Sequence, residues 1–185
     1  MAIDQGDFRL GWIRQTEMNC GSCCVASIVN YARRKGHNIG EMDANAYVGL
    51  AVGGIRCLGS VSVGLYQYLT FTYPNVFDVE EVEIENKMAH WGGALNRVRG
   101  GKSPRGSINP NTAYFSGHEH RFLLREFSAY VVLGHFIIQT DENHFWDPNR
   151  SADVLPLDLT TTKDNYHGRA ISQRADALQI DVRPA

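Results

Sequence analysis

The clearest pattern of apolar and polar residues predicts a helix over residues 21–36, GSCCVASIVNYARRKG. Its apolar positions recur at helical spacing and are Val25, Ile28, Val29 and Ala32. Basic residues fill the last turn and Gly36 follows them, which is typical of a helix C-terminus. Asn19 and Ser22 are both residues that can cap the start of this helix.

Weaker patterns predict the remaining elements. Amphipathic spacing indicates helices at 41–52, 60–71 and 121–130, although residues 60–71 also fit a strand. An enrichment in β-branched and aromatic side chains predicts strands at 131–140, 144–146 and 177–183. The segment 78–86 alternates only in part and fits an edge strand or the end of a helix.

The order of these elements indicates a fold class. The polar turn at 141–143 joins the strands on either side of it into a predicted hairpin. Residues 99–117 are rich in Gly, Pro, Ser and Asn and predict a long loop. Helices first and antiparallel strands later are typical of an α+β fold. No repeat or linker divides the chain, so we predict one domain over residues 1–185.

Composition narrows the classes of function. The 185 residues are 43% hydrophobic and 21% charged with a formal net charge of -2, so no excess of Lys and Arg favours nucleic acid or anionic lipid. No apolar run is long enough for a membrane span, and the polar start lacks the pattern of a cleaved signal peptide. We expect a protein made in the cytoplasm, without excluding export by a route that needs no cleaved signal. The oligomeric state is not indicated.

Three of the four cysteines lie close together in QTEMNCGSCC, residues 15–24. A thiol at a helix N-terminus faces unpaired backbone N–H groups and the positive end of the helix dipole, and both favour the thiolate. Cys20 and Cys23 are therefore candidate nucleophiles. Cys24 lies on the apolar face of the predicted helix, and we expect Cys24 and Cys57 to be small buried residues.

The predicted hairpin supplies the other groups that a nucleophilic cysteine needs, an imidazole and a side chain that orients it. A turn centred on residues 141–143 places one of positions 147–149 opposite His135, so Asp147 can lie beside that imidazole. His144 is nearer to Asp147 in sequence and is the alternative base, but its position in the turn makes it the weaker candidate.

Two segments resemble the papain-like cysteine peptidases. CGSCCVAS, residues 20–27, is similar to the active-site segment of that superfamily. The pattern Q-x4-C-G before a helix, and GHFIIQT followed by FWDP, resemble the Cys helix, the His strand and the Asp-Pro strand of its bacteriocin leader peptidase branch. The resemblance implies a papain-like fold, in which N-terminal helices pack on a C-terminal antiparallel sheet. It assigns four site residues: Cys20 as nucleophile, His135 as general base and acid, Asp147 as orienting group and Gln15 as oxyanion-hole donor.

The choice between two cysteines depends on the glutamine. Gln15 stands five residues before Cys20, close to the interval of the family. The papain-type register would instead make Cys23 the nucleophile, and this register places Glu17 where the family has the glutamine. Because a carboxylate there would oppose an oxyanion, we favour Cys20 and keep Cys23 as the alternative.

The resemblance implies a thiol acyl-transfer enzyme that hydrolyses a peptide or side-chain amide bond of a protein or peptide substrate and needs no cofactor. The same groups would serve a glutamine deamidase or a transglutaminase. Because this sequence shows no propeptide-like segment before Cys20 and no transporter domain after the hairpin, we expect a stand-alone enzyme that resembles bacterial effectors and toxins, and not a leader peptidase fused to an exporter.

The alternative function is a binding module that keeps the fold without turnover, or a domain held together by zinc. Cys20 and Cys23 form a C-x-x-C pair that can bind zinc or form a redox pair. No second C-x-x-C or H-x3-H pair supplies the usual further ligands. His118 and His120 can likewise be metal ligands or solvated loop residues, of which we favour the latter.

Overall fold

The sheet and helices have an α+β arrangement in the computed structural model, which describes residues 3–16, 19–43, 62–84, 107–108, 113–128, 134–142, 144–149 and 172–185. Three helices are described: α1 (Gln5–Leu10), α2 (Cys20–Arg34) and α3 (Ser62–Thr72). The strands are β1 (Phe77–Ile84), β2 (Ser107–Ile108), β3 (Arg121–Ser128), β4 (Gly134–Gln139), β5 (Phe145–Trp146) and β6 (Ser172–Val182). A short 3-10 turn, Ala113–Phe115, precedes β3.

The predicted helix after the cysteines is α2. It begins at Cys20, and every residue from Cys20 to Ala32 is buried, so the apolar face predicted from its spacing lies in the core. Gly36 ends it with a φ of +106°, a left-handed conformation that residues with a Cβ rarely adopt. The predicted side-chain cap is wrong. Among the described contacts, the Asn19 side chain makes no capping hydrogen bond, and Ser22 lies inside the helix.

The six strands form one sheet in the order β2-β1-β6-β3-β4-β5. All neighbouring strands are antiparallel except the short pair β1 and β2. The segment predicted as an edge strand or helix end is β1, which lies one strand in from the edge. Residues 60–71 are helical, as we favoured, and the predicted last strand belongs to the longer β6. The helices precede the sheet in sequence, and α2 packs against β4.

The helix predicted at 121–130 is wrong, because residues 121–128 form β3. This strand lies between β6 and β4 and is covered on both faces. Phe122 and Leu124 enter the main core beneath the helices, whereas Leu123 joins a second apolar cluster on the opposite face. A strand buried on both sides is apolar at consecutive positions, so its periodicity does not differ from that of a short buried helix.

An aromatic cluster around Phe8 joins α1 to the rest of the core. The Phe8 ring lies 5.1 Å from Phe122, 5.0 Å from Trp146 and 6.0 Å from Tyr31 between centroids. Trp146 donates its indole N–H to Gln5 Oε1 at 3.0 Å. These contacts place the chain N-terminal to α2 beside the β4–β5 hairpin.

Several predicted segments fall outside the described residues. Of the helix predicted at 41–52, only residues 41–43 are described, and they are not helical. Cys57 and most of the loop predicted at 99–117 also lie outside the described ranges. Within those ranges, no helix combines the length and the hydropathy required to cross a membrane.

Candidate active site

Cys20 is the first residue of α2 and contacts the sheet through its sulfur. The backbone N–H of Phe136 in β4 points to Cys20 Sγ, with the nitrogen 3.5 Å from the sulfur. The residue keeps 7% of its surface exposed. The helix N-terminus therefore meets the strand that carries His135, a long-range contact that sequence spacing alone does not predict.

His135 and Asp147 are paired across the hairpin. Ile138 lies opposite Trp146, and this register places position 149 opposite His135. Position 147 is two residues from position 149, so Asp147 lies on the same face of the sheet as His135. His135 Nε2 lies 2.8 Å from Asp147 Oδ1. The Asp147 side chain is 2% exposed, and its Oδ1 also accepts the backbone N–H of Asn149 at 2.9 Å. The predicted pairing of His135 with Asp147 is present.

The surroundings of His135 favour its protonated form. Burial alone lowers the pKa of His135, but hydrogen bonds to Asp147 and Cys20 and the negative charges of both groups raise it to about 9, from an ordinary 6.5. Because Nε2 faces the carboxylate, Nδ1 is the ring nitrogen that can exchange a proton with Cys20. This arrangement can hold an imidazolium beside a thiolate.

The other two cysteines of the helix have different surroundings. Cys23 is fully buried and its sulfur faces Asn19 Oδ1 at 3.5 Å. Burial, together with the negative charge of Cys20, raises the pKa of Cys23 to about 12, so this side chain remains a thiol at neutral pH. Cys24 is fully buried too, with its sulfur 3.6 Å from the carbonyl oxygen of Phe136, and burial raises its pKa well above the ordinary value. Of the three, Cys20 is the thiol that makes a hydrogen bond with His135.

Gln15 reaches the same corner of the molecule through its backbone. Its N–H donates to the carbonyl oxygen of Pro148 at 2.8 Å, and Pro148 directly follows Asp147. The side-chain Oε1 of Gln15 is buried and has no hydrogen-bond partner among the described residues. The backbone of Gln15 is thus held next to the residue that follows Asp147.

Two further histidines among the described residues, His144 and His120, lie in other contacts. His144 Nδ1 faces both carboxylate oxygens of Asp141, at 2.7 and 2.6 Å, so the alternative base is paired within the turn rather than with Asp147. His120 Nδ1 lies 2.9 Å from the Tyr31 hydroxyl. Burial is the main cause that lowers the pKa of His120, and the positive charge of Lys35 lowers it further.

The described part of the chain also bears on the zinc alternative. In these ranges, no group of three or more His, Cys, Asp or Glu side chains is arranged to hold a metal ion. Cys20, Cys23 and Cys24 are free thiols.

Two contributors to this site were not predicted from the sequence. The first is the backbone N–H of Phe136, for which a sequence carries no signal. The second is Ser27, a buried hydroxyl within the predicted helix that bonds both to α2 and to the segment before it. A polar residue among buried apolar positions was a usable signal, because buried hydroxyls almost always have a partner.

No family model matches the chain, and comparisons with curated proteins and with solved structures find no match. The geometry around Cys20 is therefore the main support for a function.

Proposed function

We propose that this chain is a papain-like cysteine hydrolase that cleaves a peptide or side-chain amide bond of a protein or peptide substrate. The observation that carries the proposal is the contact between three side chains, one from the start of α2, one from β4 and one from the residue after β5. Cys20 at the start of α2 meets His135 of β4, which is held 2.8 Å from the buried Asp147. A structural role does not need a thiol in contact with an imidazole that is in turn paired with a carboxylate, whereas nucleophilic catalysis by cysteine uses this arrangement.

The reaction follows from these positions. The Cys20 thiolate attacks the carbonyl carbon, and the carbonyl oxygen becomes an oxyanion. Protonated His135 then gives its proton to the leaving nitrogen, so the carbon–nitrogen bond breaks and an acyl-thioester remains on Cys20. Neutral His135 next takes a proton from water, whose oxygen attacks the thioester and releases the acid and the thiolate.

The oxyanion needs hydrogen-bond donors, and we assign this role to two groups. The N–H of Cys20 is at the first position of α2, where a helix offers no acceptor of its own. The side-chain NH2 of Gln15 is the second donor that we propose, and its support is the backbone hydrogen bond of Gln15 to Pro148, the residue after Asp147. If the substrate is a glutamine side chain, the same steps release ammonia, so deamidation is the same chemistry with a different leaving group.

Alkylation by iodoacetamide with peptide mass mapping tests the proposal. We expect rapid labelling of Cys20 at pH 7 and slow labelling of Cys23, whose pKa is raised to about 12. The His135→Ala variant should lose the rapid labelling. Cys23→Ser is the matched control, since it removes a neighbouring thiol from the same helix and should leave Cys20 labelling unchanged.

Two results would reject a cysteine nucleophile at position 20. One is equal, slow labelling of all cysteines in the folded protein. The other is rapid labelling of Cys20 that persists in His135→Ala, because the imidazole would then not be responsible for the reactivity. Rapid labelling at Cys23 instead would move the nucleophile to the papain-type register.

A further inference from the structure

Ser27 connects the helix of Cys20 to the segment that carries Gln15. Its hydroxyl donates to the carbonyl oxygen of Cys23 at 2.8 Å and accepts the backbone N–H of Ile13 at 2.9 Å. A serine hydroxyl has one donor and two acceptor positions, so the first bond fixes the direction in which the second can form. The side chain is completely buried.

A second bond fixes the same segment from the opposite side. Gln15 is two residues after Ile13, and its N–H donates to Pro148 O at 2.8 Å. The backbone that leads to Gln15 is therefore held between α2 and the turn that contains Asp147. Further back, Asn30 Nδ2 donates to Gly11 O at 3.3 Å, where the chain passes so close that a Cβ on Gly11 would lie 3.0 Å from Asn30 Cβ.

We propose that Ser27 is a positioning residue for the oxyanion donor: its hydroxyl sets the distance between α2 and the Ile13–Gln15 segment, and so aligns the Gln15 amide with the carbonyl that Cys20 attacks. This inference rests on the proposed cysteine-hydrolase function. An oxyanion donor acts only over a narrow range of positions, so a small displacement of its backbone reduces acyl transfer. Attack of the thiolate on an alkyl halide forms no oxyanion and does not need the donor.

This difference provides the test. Two rates are measured on the full chain. The first is the alkylation of Cys20 by iodoacetamide, and the second is the acylation of Cys20 by p-nitrophenyl acetate, which is monitored by the p-nitrophenol that it releases. Gln15→Ala should lower acylation about 100-fold, as expected for loss of one oxyanion donor, and leave alkylation unchanged. Ser27→Ala should lower acylation by about tenfold or more, again with unchanged alkylation.

The double variant Gln15→Ala/Ser27→Ala separates positioning from a general structural effect. If Ser27 acts through Gln15, the double variant should acylate no more slowly than Gln15→Ala alone. Thr70→Ala is the matched control. Its hydroxyl makes the same kind of bond to the residue four positions back in a helix, to Tyr66 O at 2.8 Å, but in α3 and without reaching the segment before Cys20. It should change neither rate.

Three outcomes would overturn the role of Ser27. These are an unchanged acylation rate in Ser27→Ala, a parallel fall of acylation and alkylation, and additive losses in the double variant. A wild-type Cys20 that is inert to both reagents would instead overturn the hydrolase proposal itself, and the role of Ser27 with it.

Discussion

Among the groups that favour the charged form of His135, the buried carboxylate of Asp147 comes first, and replacing it gives the sharpest test of the site. A pKa of about 9 against an ordinary 6.5 corresponds to roughly 3 kcal/mol in favour of the imidazolium. Burial opposes this preference, so the two favourable partners supply more than that net amount. Asp147 raises the pKa of His135 more than Cys20 does, both through its hydrogen bond and through its negative charge. Asp147 is therefore the larger of the two favourable contributions to the pKa of His135.

Asp147→Asn should accordingly lower the pKa of His135 by more than about one unit, because the amide keeps the shape of the side chain and removes its charge. The measurement is an NMR titration of the His135 Cε1–H resonance, assigned by its absence in His135→Ala. The same variant should alkylate more slowly at Cys20, since a less basic imidazole stabilises the thiolate less.

Asp141→Asn is the matched control for this experiment. Asp141 is the other carboxylate of the hairpin that pairs with a histidine, in this case His144 at 2.6 Å. Its replacement should leave the titration of His135 unchanged. If His135 still titrates near pH 9 in Asp147→Asn, or if both variants shift it equally, the assignment of Asp147 as its orienting group is wrong.

Three further predictions concern stability, measured by urea unfolding. Gln5→Ala leaves the buried indole N–H of Trp146 without its acceptor and should cost about 1–3 kcal/mol. Phe122→Ala removes a fully buried ring and should cost about 3–5 kcal/mol, whereas Phe71→Ala, at a residue 80% exposed, should cost far less. Folding raises the pKa of His135, so the imidazolium stabilises the folded protein fully below pH 6.5. This contribution to the free energy of unfolding is lost as pH rises to about 9, and His135→Ala should lack the decline.

The parts that sequence patterns predicted well depend on local interactions. The apolar spacing of α2 and the two strands beside the polar turn are properties of short segments. The register of the hairpin follows from its turn, so the proximity of His135 and Asp147 could be deduced without any tertiary contact. Gly36 ended α2 for an equally local reason, its left-handed conformation.

The parts that patterns missed depend on the burial of whole elements or on contacts between them. β3 was mistaken for a helix because both of its faces are covered, which removes the alternation that identifies a strand. The Asn19 cap failed because that side chain turns toward Cys23. The approach of Cys20 to Phe136 joins residues 116 positions apart, and it follows from the packing of α2 on β4 rather than from any motif.

The aromatic cluster at the N-terminal segment has a spectroscopic consequence. A helix of six residues is too short to persist alone in water, so α1 depends on the docking of Phe8 for its existence. That docking brings Trp12 and Trp146 to 5.1 Å between ring centroids, at an angle of 51°. Two indoles at this separation are expected to couple their ultraviolet transitions. Near-ultraviolet circular dichroism would then report, without any added label, whether the segment that carries Gln15 is packed against the hairpin.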